Sequence, residues 1–177
     1  DPGFHLVRAG INPRANRGDD ITYSGTVSAA MESVINGCPA FAISQEYYEH
    51  PDFSLATVAA TTVARNILEH GLSPGELVNV NVPAVPPDEF GGVEVTRLGK
   101  RVYQDELIER QDPRGIPSFW IGGPPPSGLA VEGTAFHAAV NRRIAVTPTP
   151  PDPTRRPPPH PLPPRPRALP AGRALAA

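Results

Sequence analysis

Ala9-Gly-Ile-Asn-Pro-Arg-Ala-Asn-Arg-Gly-Asp-Asp-Ile-Thr-Tyr-Ser-Gly-Thr26 is the stretch on which the reading of this chain turns. It gathers two Asn, three Gly, two Asp and a Ser-Gly-Thr step, then runs directly into a helical pattern. That composition suits a loop that holds a phosphate, and a hard metal ion beside it, against a helix N-terminus.

Working outward, Phe4–Ala9 reads as a short strand that feeds this loop. From Gly25 the period changes: Val27, Ala30, Met31 and Val34 recur at helical spacing, Ser24 or Thr22 caps the start, and Gly37 follows the end. Pro39–Ser44 is an apolar run of the kind found in strands buried on both faces. Residues 55–70 carry a second stripe of Leu55, Ala59, Val63 and Ile67, closed by Gly71. Leu77–Val82, Val93–Leu98 and Arg142–Thr147 read as further strands. Strands alternating with helices predict an α/β fold, a mostly parallel sheet flanked by helices. Ligands of such sheets bind beyond the carboxyl ends of the strands, where the Asn12–Thr26 loop emerges. Between 99 and 130, Pro113, Gly115, Pro117 and Pro124–Pro126 break any long element. That segment is expected to be an extended β arm or hairpin carrying Tyr103, Phe119 and Trp120 as apolar anchors.

Of 177 residues, 25 are proline, and twelve of these fall between Pro148 and Pro170. The division expected is therefore a domain over 1–147 and a Pro/Arg-rich, disordered tail over 148–177. The same tail also reads as a polyproline ligand or as an out-of-frame translation. With the tail set aside, 11 basic and 17 acidic residues remain, and so acidic a body excludes bulk nucleic acid as a partner. The single cysteine, Cys38, forbids an internal disulfide and reads as an inert packing residue. No run reaches the length of a membrane span and no signal peptide is visible, so no membrane partner and a cytoplasmic location are expected.

The opening stretch, continued to Glu32, resembles the signature of the SurE family of survival-protein nucleotidases. Gly37–Ser44, Asn79-Val-Asn-Val-Pro83, Val95–Gly99, Asp112-Pro-Arg-Gly115, Glu132-Gly-Thr134 and Val146-Thr-Pro148 resemble further motifs of that family, in order. The resemblance implies a Rossmann-like fold that dimerises or tetramerises. It also implies a phosphatase dependent on Mg²⁺ or Mn²⁺ that hydrolyses nucleoside 5′- and 3′-monophosphates, often with activity on polyphosphate. Asn12 matches a metal ligand, whereas the family's two adjacent aspartates and its ligand serine lie upstream of the first residue here. An N-terminally truncated member is therefore expected. Ala9 and Ala135 stand where the family usually has Ser and Asp.

In physical terms Asn12 offers one neutral oxygen to a hard ion. Ser24, Gly25 and Thr26 offer hydroxyls and first-turn N–H groups to a phosphate, with the bare helix cap as the alternative. Asn16 is read equally as a substrate contact and as a loop brace. Asp19 and Asp20 are read as braces rather than metal ligands. His5 and His137 are read as packed or surface residues, with no Ser-His mechanism. Two rival functions remain: an inactive phosphate-binding or oligomerising remnant, and an interaction protein that uses its Pro-rich tail.

Overall fold

Three expected strands become adjacent and parallel: β1 (Val7–Asn12), which starts and ends three residues later than the Phe4–Ala9 reading, β2 (Ala40–Gln45) and β3 (Leu77–Val82). They belong to a computed structural model that describes residues 5–46, 52–123 and 127–150. Every residue of β2 and β3 is buried, because helices cover both faces of the sheet.

The two crossovers supply those helices. On one face α1 (Gly25–Ile35) lays Val27 and Ala30 over Ala9, Ala40, Ala42 and Leu77. On the other α2 (Ser54–His70) lays Ala56, Ala59, Ala60 and Ile67 over Phe41, Ile43, Val78 and Val80. Neighbouring residues of one strand thus serve opposite layers. Helix α1 stops where Gly37 takes the left-handed conformation (φ 80°), donating its N–H to Val34 O while Cys38 N–H reaches Ser33 O. Cys38 itself is only partly covered and lies outside the core, a departure from the buried packing role expected of it. At the start of α2, Asp52 Oδ1 accepts both the N–H and the hydroxyl of Ser54, and these bonds hold its carboxyl below the usual range.

The fourth expected strand is shorter than its apolar run: β4 (Val93–Val95) ends before Thr96, and Arg97 leaves to bridge Thr134. The arm follows. β5 (Arg101–Val102) pairs with β8 (Ser127–Gly128), and between them β6 (Glu106–Gln111) and β7 (Pro117–Gly122) form an antiparallel hairpin. At its tip Asp112 Oδ1 accepts from Arg114 N and Ile116 N, both at 2.8 Å. Among the described residues the large apolar side chains of the hairpin stay uncovered: Phe119 is 59 % exposed and Trp120 67 %, with Leu107, Ile116 and Ile121 similarly bare.

A helix not anticipated from the sequence, α3 (Ala135–Val140), is capped by Thr134 Oγ1, which accepts from His137 N at 3.3 Å. The last strand, β9 (Ile144–Thr149), begins two residues later and runs two residues further than expected, and it enters the sheet between β3 and β4. It is antiparallel to β3 and parallel to β4, giving the order β1-β2-β3-β9-β4. Pro148 is tolerated there for a geometric reason. Ile144 N–H bonds Gly92 O and Val146 O accepts from Thr96 N, so alternate residues of β9 turn their polar groups toward β4. The missing N–H of Pro148 would point past the end of that short strand, where no ladder is broken. The tail expected over 148–177 therefore starts too early, since Pro148 and Thr149 belong to the sheet, and its residues 151–177 lie outside the described residues.

Candidate active site

Chain direction places every candidate residue on one edge. β1 ends at Asn12 and α1 starts at Gly25, so the connection between them lies beyond the carboxyl ends of the parallel strands.

Asn12 lies opposite Ser44 of β2. Its Nδ2 donates to Arg14 O at 2.6 Å, and among the described residues its Oδ1 accepts nothing. The amide oxygen is thus the unengaged end of the side chain. Asn16, four residues on, is buried and tied to the sheet. Its N–H donates to Asn81 Oδ1 (2.7 Å) and its Nδ2 to Ser44 Oγ (2.6 Å), while its carbonyl accepts from Asn79 Nδ2 and Asn81 Nδ2, both at 2.9 Å. These bonds brace the loop, and the Asn16 Oδ1 takes no part in them.

Ser24 is the N-cap of α1: its Oγ accepts from Val27 N at 3.2 Å. The same hydroxyl retains its own hydrogen for donation outward. Gly25 is exposed, and a Cβ built there would meet nothing within 4 Å, so the first turn opens to free space. Thr26 Oγ1 has no partner among the described residues. Its helix has no acidic residue in the first turn to oppose an anion.

Asp19 and Asp20 lie in the 3₁₀ turn Gly18–Tyr23 and face the arm. Asp19 Oδ2 accepts from Arg101 N at 3.4 Å, whereas Asp20 pairs with Arg101 at 2.7 Å and accepts the Tyr103 hydroxyl at 2.6 Å. The Asp20 carboxylate raises the Tyr103 pKa above the ordinary phenol value by holding its proton, with burial and Asp20's charge adding to the effect and Arg101 opposing it. Tyr103 therefore acts through its hydroxyl as well as its ring.

Phe136 of α3 was not singled out by the sequence. Its ring is buried where Cβ atoms on Gly18, Gly99 and Gly128 would stand 3.0, 2.9 and 2.1 Å from it. The guanidinium carbons of Arg17 and Arg101 lie 5.3 and 5.8 Å from its centroid. Arg17 also pairs with Glu46, at the end of β2. One ring thus joins the loop, the arm and α3, and no local signal in the sequence announces a contact built from three distant glycines. His137 faces Glu94 at 3.6 Å.

Fold and site together define a class: an α/β protein whose mostly parallel sheet is flanked by helices, with a polar loop and a helix N-terminus at the carboxyl edge of the sheet. Residues 2–105 match the family described as survival protein SurE. The chain is 45 % identical over 144 residues to 5′-nucleotidase SurE of Geobacter sulfurreducens, covering 81 % of this chain and 55 % of that protein. It is 46 % identical over 145 residues to the protein of the same name from Chloroflexus aggregans, covering 81 % and 57 %. A crystal structure of the SurE protein from Aquifex aeolicus superimposes with a TM-score of 0.75 at 37 % identity, over 85 % of this chain and 60 % of that one. The chain belongs to the SurE family, and it spans a little over half the length of the curated relatives it matches.

Proposed function

We propose that this chain carries the phosphate-handling half of a divalent-metal-dependent phosphatase that hydrolyses nucleoside 5′-monophosphates, with 3′-monophosphates and polyphosphate as further substrates. The observation that carries this reading is the collinear 45 % identity to proteins named 5′-nucleotidase SurE. The match agrees with the open first turn of α1 and the unengaged amide oxygen of Asn12.

Metal fit can be judged from the donors. Asn12 Oδ1 suits Mg²⁺ or Mn²⁺ as one neutral oxygen, but the described residues hold no cluster of three His, Cys, Asp or Glu side chains able to bind a metal. Asp19 and Asp20 are already committed to Arg101 and Tyr103. Asn12 is then one ligand of a set whose carboxylates lie outside the described residues. When bound, the ion supplies an activated water and positive charge beside the phosphate. The residues of this chain do the rest. The Gly25 and Thr26 N–H groups and the Ser24 and Thr26 hydroxyls bind the phosphate oxygens and stabilise the charge that grows on them.

The hairpin of β6 and β7 suits a second copy of the chain, since Leu107, Phe119 and Ile121 share one exposed face and Trp120 stands bare on the other, more exposed apolar area than a monomer usually shows. A homodimer or homotetramer is the assembly we propose, in the cytoplasm.

The test is phosphate release from AMP, UMP and 3′-AMP by the full-length protein, before and after chelation and after return of Mg²⁺ or Mn²⁺. Release that stops with chelator and returns with metal is expected. No release from any of these substrates would overturn the reading.

A further inference from the structure

The polar side chains of β2 and β3 are not scattered. On the face toward α1, β3 begins with the apolar Leu77 and continues with Asn79 and Asn81, while β2 passes from Ala40 and Ala42 to Ser44. Polarity appears only at the carboxyl end, under the loop, and there it is spent on Asn16.

Asn81 gives Asn16 both halves of its carboxamide. Its Oδ1 accepts the Asn16 N–H at 2.7 Å and its Nδ2 donates to the Asn16 carbonyl at 2.9 Å. This is the exchange a neighbouring backbone strand would make, supplied by a side chain 65 positions away. Asn79 Nδ2 adds a second bond to the same carbonyl, while its own Oδ1 is buried with no partner among the described residues. An apolar pair like Val80 and Val82 would fill these positions for the core alone, because a buried amide gains little over a well-packed aliphatic side chain. Asn16 lies between Asn12 and Ser24, so holding its backbone fixes both candidate ligand elements at once.

We propose that Asn81, seconded by Asn79, is a positioning residue that sets the Asn12–Thr26 loop for phosphate and metal; the inference rests on the proposed reading of that site. It acts through Asn16 and touches no substrate. Only a carboxamide can both donate and accept in this geometry. Asp at 81 keeps the acceptor but sets a carboxylate against the Asn16 carbonyl, Ala removes both bonds, and Ser restores one.

The test compares the full-length protein with Asn81→Ala, Asn81→Asp and Asn81→Ser, well below their melting temperatures. Two readouts are taken: hydrogen exchange of the amides of residues 14–18, and kcat and KM for AMP hydrolysis. Exchange of the Asn16 amide is expected to quicken at least ~10-fold in the Ala and Asp variants while β2 and β3 stay protected. kcat/KM is expected to fall ~100-fold, mainly through kcat, with Ser in between, as for a reacting group displaced by about an ångström. Unchanged exchange at Asn16 overturns the inference, and so does quickened exchange with parental kcat and KM. A parent that releases no phosphate defeats the reading of the site and the inference with it; an active parent with an equally active Asn81→Ala defeats the inference alone. Should Asn81→Ala fail to fold, Asn79→Ala, which removes one of the two bonds to the Asn16 carbonyl, is expected to show the same two effects at smaller size, and its failure to do so counts against the inference equally.

Discussion

Gly128→Ala is a one-carbon change with a large expected consequence. The added Cβ would stand 2.1 Å from both Phe136 Cδ1 and Cε1 and 2.5 Å from Cγ. The ring also lies against the bare backbones of Gly18 and Gly99, so close that a Cβ on either would come within 3.0 and 2.9 Å of it. Arg17 and Arg101 hold its remaining sides, each anchored by a carboxylate. Overpacking of this kind costs ~1–3 kcal/mol. For a chain of this size that corresponds to a melting temperature lower by ~2–12 °C. Phe136→Ala should cost more, ~3–5 kcal/mol, through the cavity it leaves. In that background Gly128→Ala should cost almost nothing, since the clashing ring is gone. The cycle is measured by denaturant unfolding of the parent, both single variants and the double variant. Its coupling energy is expected to be at least ~1 kcal/mol, as for residues in contact. Equal cost of Gly128→Ala in both backgrounds, or no cost in either, would refute the packing of Phe136 against Gly128.

Other substitutions probe the site and the arm. Asn12→Ala should weaken Mn²⁺ binding by calorimetry, whereas Thr26→Ala should chiefly raise the inhibition constant for inorganic phosphate; each loss is expected at ~10–1000-fold, and unaltered turnover in both would displace the site. Tyr103 should ionise above the ordinary phenol range because Asp20 holds its proton, so the stabilisation is complete below the unfolded pKa and is lost as pH rises through the higher folded one. Phenolate absorbance should show Tyr103→Phe removing a late-titrating group and Asp20→Ala bringing that group back toward the ordinary range. Trp120→Ala should lower the mass in solution by light scattering, and a variant as oligomeric as its parent would place the contact elsewhere.

What was legible in the sequence follows the range of the forces involved. α1, α2 and the strands β1 to β3 were readable because the period of their apolar residues is a local property. Ser24 as cap and Gly37 as terminator were readable for the same reason. The direction of β9 was not, since pairing Leu77 with Thr149 is decided by the whole sheet. α3 escaped notice because Ala135–Val140 is short and carries no stripe of large apolar residues. In the candidate site, Asp19 and Asp20 were read as bracing their own loop through backbone bonds, whereas they hold the arm through Arg101 and Tyr103, more than eighty residues distant. Asn79 and Asn81 stood in a quoted motif with no role attached, because the backbone they hold lies far away in the chain.

The place of β9 has a consequence for how the chain is made. Among the described strands β4 joins the sheet only through β9, and the inner edge of β3 is closed by the same strand. Until residues 144–149 leave the ribosome, β3 presents a bare apolar edge and β4 has no neighbour. At ~5–20 residues per second, synthesis of the arm and α3 imposes a wait of seconds between β4 and β9. Throughout that wait the nascent sheet carries an unpaired edge of the kind that recruits other strands. A chain stalled or cleaved before Ile144 should therefore enter aggregates, whereas one released after Thr149 has β9 in place between β3 and β4.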